Sequence, residues 1–129
     1  MAAVLLDTHT WAWTLTADGR LTSRARQAMY EADLVTISPV SAFEIGLKVR
    51  LGKWPEMVEF ESTMPGLLDG QGVIVAALTP EIALHAGLLE WPHRDPFDRM
   101  LAATALTLGM VLISADTVFD SLPGLRRVW

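Results

Sequence analysis

Short aliphatic runs separated by helix-length sequence set the strongest limit on how this chain folds. Val4 to Leu6, Leu34 to Ile37, Val73 to Ala77 and Met110 to Ile113 are too short for helices and read as strands, with Arg126 to Trp129 as a candidate fifth. Strands alternating with helices predict a parallel sheet of about four or five strands covered on both faces, an α/β fold of three α/β/α layers.

The helices carry their own punctuation. A helix through Trp11 and Trp13 follows the first strand, and Thr22 opens another whose stripe is Leu21, Ala25, Ala28, Met29 and Ala32. Ser38-Pro39 starts a third, with Gly52 as its stop, and Pro80 a later one reaching about Glu90. Asp95-Pro96 begins the clearest helix, with Phe97, Met100, Leu101, Ala105 and Leu108 on one face and Gly109 at its end. Pro55 to Leu68 reads as helical but interrupted at Pro65-Gly66, and a short helix is expected after Asp116.

With 129 residues, 51% of them hydrophobic, and no repeat or linker, a single domain over residues 1–129 is expected. The absence of cysteine excludes disulfides and thiolate metal sites, so any metal takes oxygen or imidazole ligands. Met1-Ala2-Ala3 runs straight into the first strand with no secretory leader, and no apolar stretch approaches membrane length, so a cytoplasmic protein is expected. A net charge of −5 argues against a broad basic surface for nucleic acid. It leaves room for an enzyme whose acids hold cations.

Ligands of open α/β sheets bind outside the carboxyl ends of the strands. Asp7 directly follows the first strand, and Asp116 follows the fourth after Ser114 and Ala115. Glu44 and Asp98 lie in the opening turns of helices, Glu44 a short connection after the second strand. Each acid also has a structural reading: Asp7 and Asp116 as helix caps, Asp98 as a complement to a helix dipole, and Glu44 in a capping box with Ser41. Ser38-Pro39 is the better helix start, which leaves Ser41, Glu44 and Lys48 as a polar stripe on a helix carrying Val40, Phe43, Leu47 and Leu51. Four carboxylates at one edge repel, so they hold protons or splay apart unless a cation lies among them. Mg²⁺, or Mn²⁺, prefers such oxygen donors and activates water for phosphoryl displacement.

The runs Leu5-Leu6-Asp7-Thr8-His9-Thr10-Trp11, Ser41-Ala42-Phe43-Glu44-Ile45 with Lys48, Pro92-His93-Arg94-Asp95-Pro96-Phe97-Asp98-Arg99 and Ser114-Ala115-Asp116-Thr117-Val118-Phe119 resemble the PIN domain. They resemble in particular the VapC-type toxins of bacterial toxin–antitoxin pairs, in the same order and over nearly the whole chain. The resemblance implies a Mg²⁺-dependent ribonuclease using Asp7, Glu44, Asp98 and Asp116, with Ser114 as a small polar residue near the last acid. It also implies a cognate antitoxin whose C-terminal segment covers or enters the site, and a homodimer.

Asp95, before Pro96, is expected to cap its helix rather than to bind metal. Arg99 has two readings, a partner for an acid or phosphate and a surface ion pair. Lys48, Arg50 and Lys53 cluster near a helix end, where they either guide RNA or complement the dipole. Ser114, Lys48 and Arg99 are the candidate substrate contacts. His9, His85 and His93 lack metal-ligand spacing and are taken as structural. Of the five tryptophans, Trp11, Trp13, Trp54 and Trp91 lie at or near helix ends, where some can serve an interface.

Three rivals share the architecture. A haloacid-dehalogenase-like phosphatase wants an Asp two positions after the first, where His9 stands. A response-regulator receiver wants a phospho-accepting Asp after a central strand and a Lys after a late one, and neither is present. A silent binding module has no need of all four acids.

Overall fold

The computed structural model describes residues 3–129. Its strands are β1 (Val4–Leu6), β2 (Val35–Ile37), β3 (Ile74–Val75), β4 (Val111–Ile113) and β5 (Arg127–Val128). They form one parallel sheet in the order β3-β2-β1-β4-β5. Six α-helices connect or flank them: α1 (Thr8–Thr16), α2 (Ser23–Glu31), α3 (Pro39–Arg50), α4 (Phe60–Gln71), α5 (Pro80–Leu88) and α6 (Pro96–Leu108). Two 3-10 turns, Pro55–Met57 and Thr117–Ser121, complete the chain.

The central strand β1 shows why the sheet lies between two helical layers. Successive side chains of a strand point to opposite faces. Val4 and Leu6 join a core with Trp11, Ala25, Ile45 and Phe60, whereas Leu5 joins a second core with Trp91, Leu101, Ala105 and Phe119. All three β1 residues are buried. The fold is thus the three-layer α/β sandwich read from the alternation of elements.

Side-chain caps set the helix starts. Thr22, Ser38, Thr79 and Asp95 each accept a bond from a backbone amide of the first turn, and Pro39, Pro80 and Pro96 occupy positions where no helical N–H is missed. Gly109 ends α6 at φ 66°, left-handed backbone that favours glycine.

Four expectations need correction. The third strand is only Ile74–Val75, an edge strand with both side chains exposed. Leu108 is exposed, and α6 instead buries Leu101 through Ala105 continuously because it packs against both the sheet and α5. Pro65-Gly66 does not break α4, which runs on to Gln71. Pro65 is solvent-exposed, while Phe60, Met64, Leu67 and Leu68 pack on the core at helical spacing. The helix end is tied to α1, since Trp11 Nε1 donates to Gln71 Oε1 at 3.1 Å and Gln71 Nε2 to Thr14 Oγ1 at 3.0 Å. Burial and these bonds outweigh one missing amide.

The fourth concerns the apolar residues of α3, of which Phe43 and Leu51 do not reach the core, while its polar stripe faces inward. Ser41 and Glu44 are buried with Val40 and Ile45, while Phe43 and Leu51 are exposed. Thr8 Oγ1 donates to Ser41 Oγ at 2.9 Å, a buried bond between α1 and α3. Satisfied in this way, the hydroxyls sit in the interior without the cost of an unpaired polar group.

Candidate metal centre

At the carboxyl edge of the sheet a cavity of about 430 Å³ is lined by Asp7, Thr8, His9, Trp13, Arg20, Glu44, Lys48, Asp95, Asp98, Ala115 and Asp116. Asp7 enters from the end of β1, Glu44 from α3, Asp98 from α6 and Asp116 from the turn after β4. The cavity therefore collects acids from four separate stretches of sequence.

Asp7 is the most constrained. Its amide donates to the Ile113 carbonyl at 3.1 Å, extending the β1–β4 pairing. Its carboxylate accepts from the Thr10 amide at 2.7 Å and from the Ser114 hydroxyl. Ser114 Oγ in turn accepts from the Asp116 amide at 3.0 Å, so one buried hydroxyl connects the first acid to the last. Asp116 is exposed and caps the following 3-10 turn through Val118 N at 2.9 Å. The capping readings of Asp7 and Asp116 both hold, and neither removes the side chain from the cavity wall.

Glu44, almost fully buried, pairs with Lys48 Nζ at 2.6 Å. Asp98 Oδ2 lies 2.7 Å from His93 Nε2. Burial, countered in part by Ser114 and Thr10, raises the Asp7 carboxyl above its ordinary range. Burial also lifts Asp98 to about 6; His93 opposes this, and the charges of Asp95 and Glu44 add to it. Among the described residues, no group of three or more acids or histidines is drawn close enough to hold a metal ion. Asp7 is engaged by Ser114, Glu44 by Lys48 and Asp98 by His93. The donors are all hard oxygens, and Mg²⁺ needs only one or two carboxylates with waters filling the rest, so the residues fit a divalent cation by chemical type.

A family model described as the PIN domain matches residues 4–125. The chain belongs to the PIN domain family. It is 30% identical to ribonuclease VapC22 of Mycobacterium tuberculosis over 118 residues, which cover 90% of this chain and 88% of that protein. Among solved structures, VapBC2 from Rickettsia felis bound to a promoter DNA fragment is similar with a TM-score of 0.71 at 15% identity, covering 98% of this chain and 97% of that one. DNA-bound VapBC from Salmonella typhimurium gives a TM-score of 0.69 at 20% identity, covering 98% and 97%. These two likenesses are of fold.

Within this PIN domain the candidate residues separate into groups. Asp7, Glu44, Asp98, Asp116 and Lys48 share the cavity. Asp95 also lines it and, as expected, caps α6, accepting from Phe97 N at 2.8 Å and Asp98 N at 3.2 Å. Ser114 is fully buried, which leaves it a hold on Asp7 and Asp116 rather than the substrate contact expected. Arg99 is a correction on both of its readings. Its guanidinium donates to the carbonyls of Ala86, Gly87, Leu89, Trp91 and His93, at 2.6–3.2 Å, which leaves no donor for an acid or a phosphate.

Two of the histidines taken as structural lie in or behind the cavity wall. His93 bonds Asp98, and His9 lines the wall. Their spacing matches no metal pattern, and only the H-x-D-P-F-D run placed His93 near an acid. Trp11 and Trp91 are core residues, whereas Trp13 and Trp54 stay half-buried beside the site.

Proposed function

We propose that this PIN domain, residues 1–129 acting as one unit, is a divalent-metal-dependent endoribonuclease and the toxin of a toxin–antitoxin pair. The observation that carries the reading is the single cavity walled by Asp7, Glu44, Asp98 and Asp116. The relation to ribonuclease VapC22 supports RNA as the substrate, because hydrolysis by an activated water does not itself need the 2′-hydroxyl. The likeness to VapBC structures supports a cognate antitoxin as partner; a homodimer belongs to the same reading. A cytoplasmic site of action follows from such a substrate and partner, and among the described residues no helix is long and apolar enough to cross a membrane.

In this reading Asp7, Glu44, Asp98 and Asp116 hold Mg²⁺ or Mn²⁺. When bound, the cation supplies an activated water and offsets charge on the phosphoryl oxygens of an in-line displacement. The chain's own residues prepare for that. Ser114 and Thr10 fix the Asp7 carboxylate by two donors, so its oxygens stay aimed at the cavity. Lys48 balances Glu44 and brings a cation to the wall where a phosphate enters. His93, bonded to Asp98, holds that carboxylate in one orientation. The balance is one water added across one P–O bond.

The test is to incubate purified protein with single-stranded RNA, with and without Mg²⁺ or Mn²⁺, beside an Asp98→Asn variant. Cleavage that needs the metal and falls with Asp98→Asn is expected. Activity that survives chelation, or a folded variant as active as the parent, sinks the reading; release of phosphate from small esters instead indicates a phosphatase.

A further inference from the structure

A second cavity, of about 420 Å³, adjoins the acidic one and shares His9, Trp13, Arg20 and Lys48 with it, adding Trp54 and Lys53 to the wall. Its surfaces are aromatic. The His9 ring lies stacked on Trp54, centroids 4.7 Å apart at 27°, and 5.9 Å from Trp13. Cations lie over the same rings: the Arg20 guanidinium is 4.7 Å from the Trp13 centroid and Lys48 Nζ is 5.6 Å from that of Trp54. Asp18 and Glu56 also border the cavity, but Asp18 is committed to Arg20 at 2.7 Å.

Core packing accounts for only part of these two tryptophans: both lie against the core and Trp13 also meets the Trp129 ring at 5.6 Å, yet each keeps a face in solvent. Trp11 and Trp91 are buried and their indole N–H groups bond Gln71 and Ser121, whereas Trp13 and Trp54 keep exposed surface and have no such bond among the described residues. Half-exposed aromatic faces interleaved with cations suit a nucleobase, whose π-face stacks while the basic groups meet its phosphate. Arg20, Lys48 and Lys53 outnumber Asp18 and Glu56 on this wall, so even with Arg20 paired to Asp18 and Lys48 to Glu44 it is less acidic than a net charge of −5 implies. The volume falls within the roughly 300–1,000 Å³ of ordinary ligand pockets.

We infer that this cavity is a stacking subsite for an unpaired nucleobase of the RNA strand whose phosphodiester lies in the acidic pocket. The inference rests on the ribonuclease reading. Because the two cavities share walls, the base and the phosphate belong to neighbouring nucleotides of one strand. A base reaches such a pocket only when unstacked, so loops and single strands are selected over duplex.

Binding is measured by fluorescence anisotropy on the Asp98→Asn chain in Mg²⁺, with a labelled single-stranded RNA and versions carrying one abasic site at successive positions. Trp54→Ala is expected to weaken binding about tenfold, the loss of one base–aromatic stack, and Trp54→Tyr to recover most of it. One abasic position should cost about as much, and the two losses should not add. Tyr30→Ala, at a residue 87% exposed and remote from both cavities, should leave affinity unchanged. Equal affinity for a folded Trp54→Ala chain, or a free nucleoside monophosphate that competes as tightly as the strand, overturns the proposal. Should Trp54→Ala fail to fold, the abasic scan on the Trp54-containing chain decides, and no position standing out overturns it. Cleavage by the unaltered chain is assayed separately, so absence of nuclease activity rejects that reading while the binding data judge the subsite.

Discussion

His93 Nε2 lies 2.7 Å from Asp98 Oδ2 across the turn that leads into α6, so the acid in the first turn of that helix has its partner five residues upstream. The contact holds an imidazole over a carboxylate that burial, Asp95 and Glu44 push towards the neutral form.

The pH dependence of metal-free stability follows. Asp98 sits at about 6 against an ordinary 3.8. Between those values the folded chain binds more protons than the unfolded one, so this group's stabilising contribution is full below 3.8 and lost as pH rises through 6. Urea unfolding in chelator from pH 4 to 7 should show a loss of about 2 kcal/mol from this group. Asp98→Asn should flatten that part of the profile; an unchanged slope contradicts the assignment.

Ser114→Ala removes the hydroxyl that donates to Asp7 and accepts from Asp116 N. Asp7 then loses one of the donors that oppose its burial, and its carboxyl rises further. Losing such support from behind a ligand typically costs at least about tenfold in metal affinity. Mn²⁺ binding followed by electron paramagnetic resonance should show that loss, and affinity equal to the parent's would count against Ser114 as a positioning residue.

Arg99→Lys cannot satisfy five carbonyls, because an ammonium has three donors and no fork. Carbonyls of the segment from Ala86 to His93 would be left unpaired. A loss of about 3 kcal/mol is expected in thermal unfolding. A variant as stable as the parent would show that water replaces the guanidinium.

Pro65→Ala restores an amide to α4 at an exposed position. The regained helical bond outweighs the greater freedom of the unfolded chain, for a net gain of about 1 kcal/mol. Denaturant unfolding reads it directly, and a net loss would mean that Pro65 fits its backbone without strain.

Strand ends and helix starts were legible because their signals are local. Asp7 after Leu6, or Asp95 before Pro96, needs only its neighbours to be understood. Glu44 was legible as a member of the edge, whereas the burial of Ser41 and the exposure of Phe43 and Leu51 were not, since they depend on α1 supplying Thr8. His93 was hidden for a related reason. Its meeting with Asp98 depends on the shape of a connection held by Arg99, and no periodicity encodes that shape. Helix α4 persisted through Pro65 because Phe60 and Gln71 are anchored at its two ends by α1, a tertiary fact.

The Arg99 bonds bear on how this chain tolerates change in length. Connections between helices ordinarily accept inserted or deleted residues at little cost. Here the carbonyls from Ala86 to His93 converge on one side chain of fixed span, so one extra residue after Leu89 would displace Trp91 and His93 from it. Related sequences that keep an arginine at this position should therefore keep the spacing before it, and those that vary the spacing should have lost the arginine.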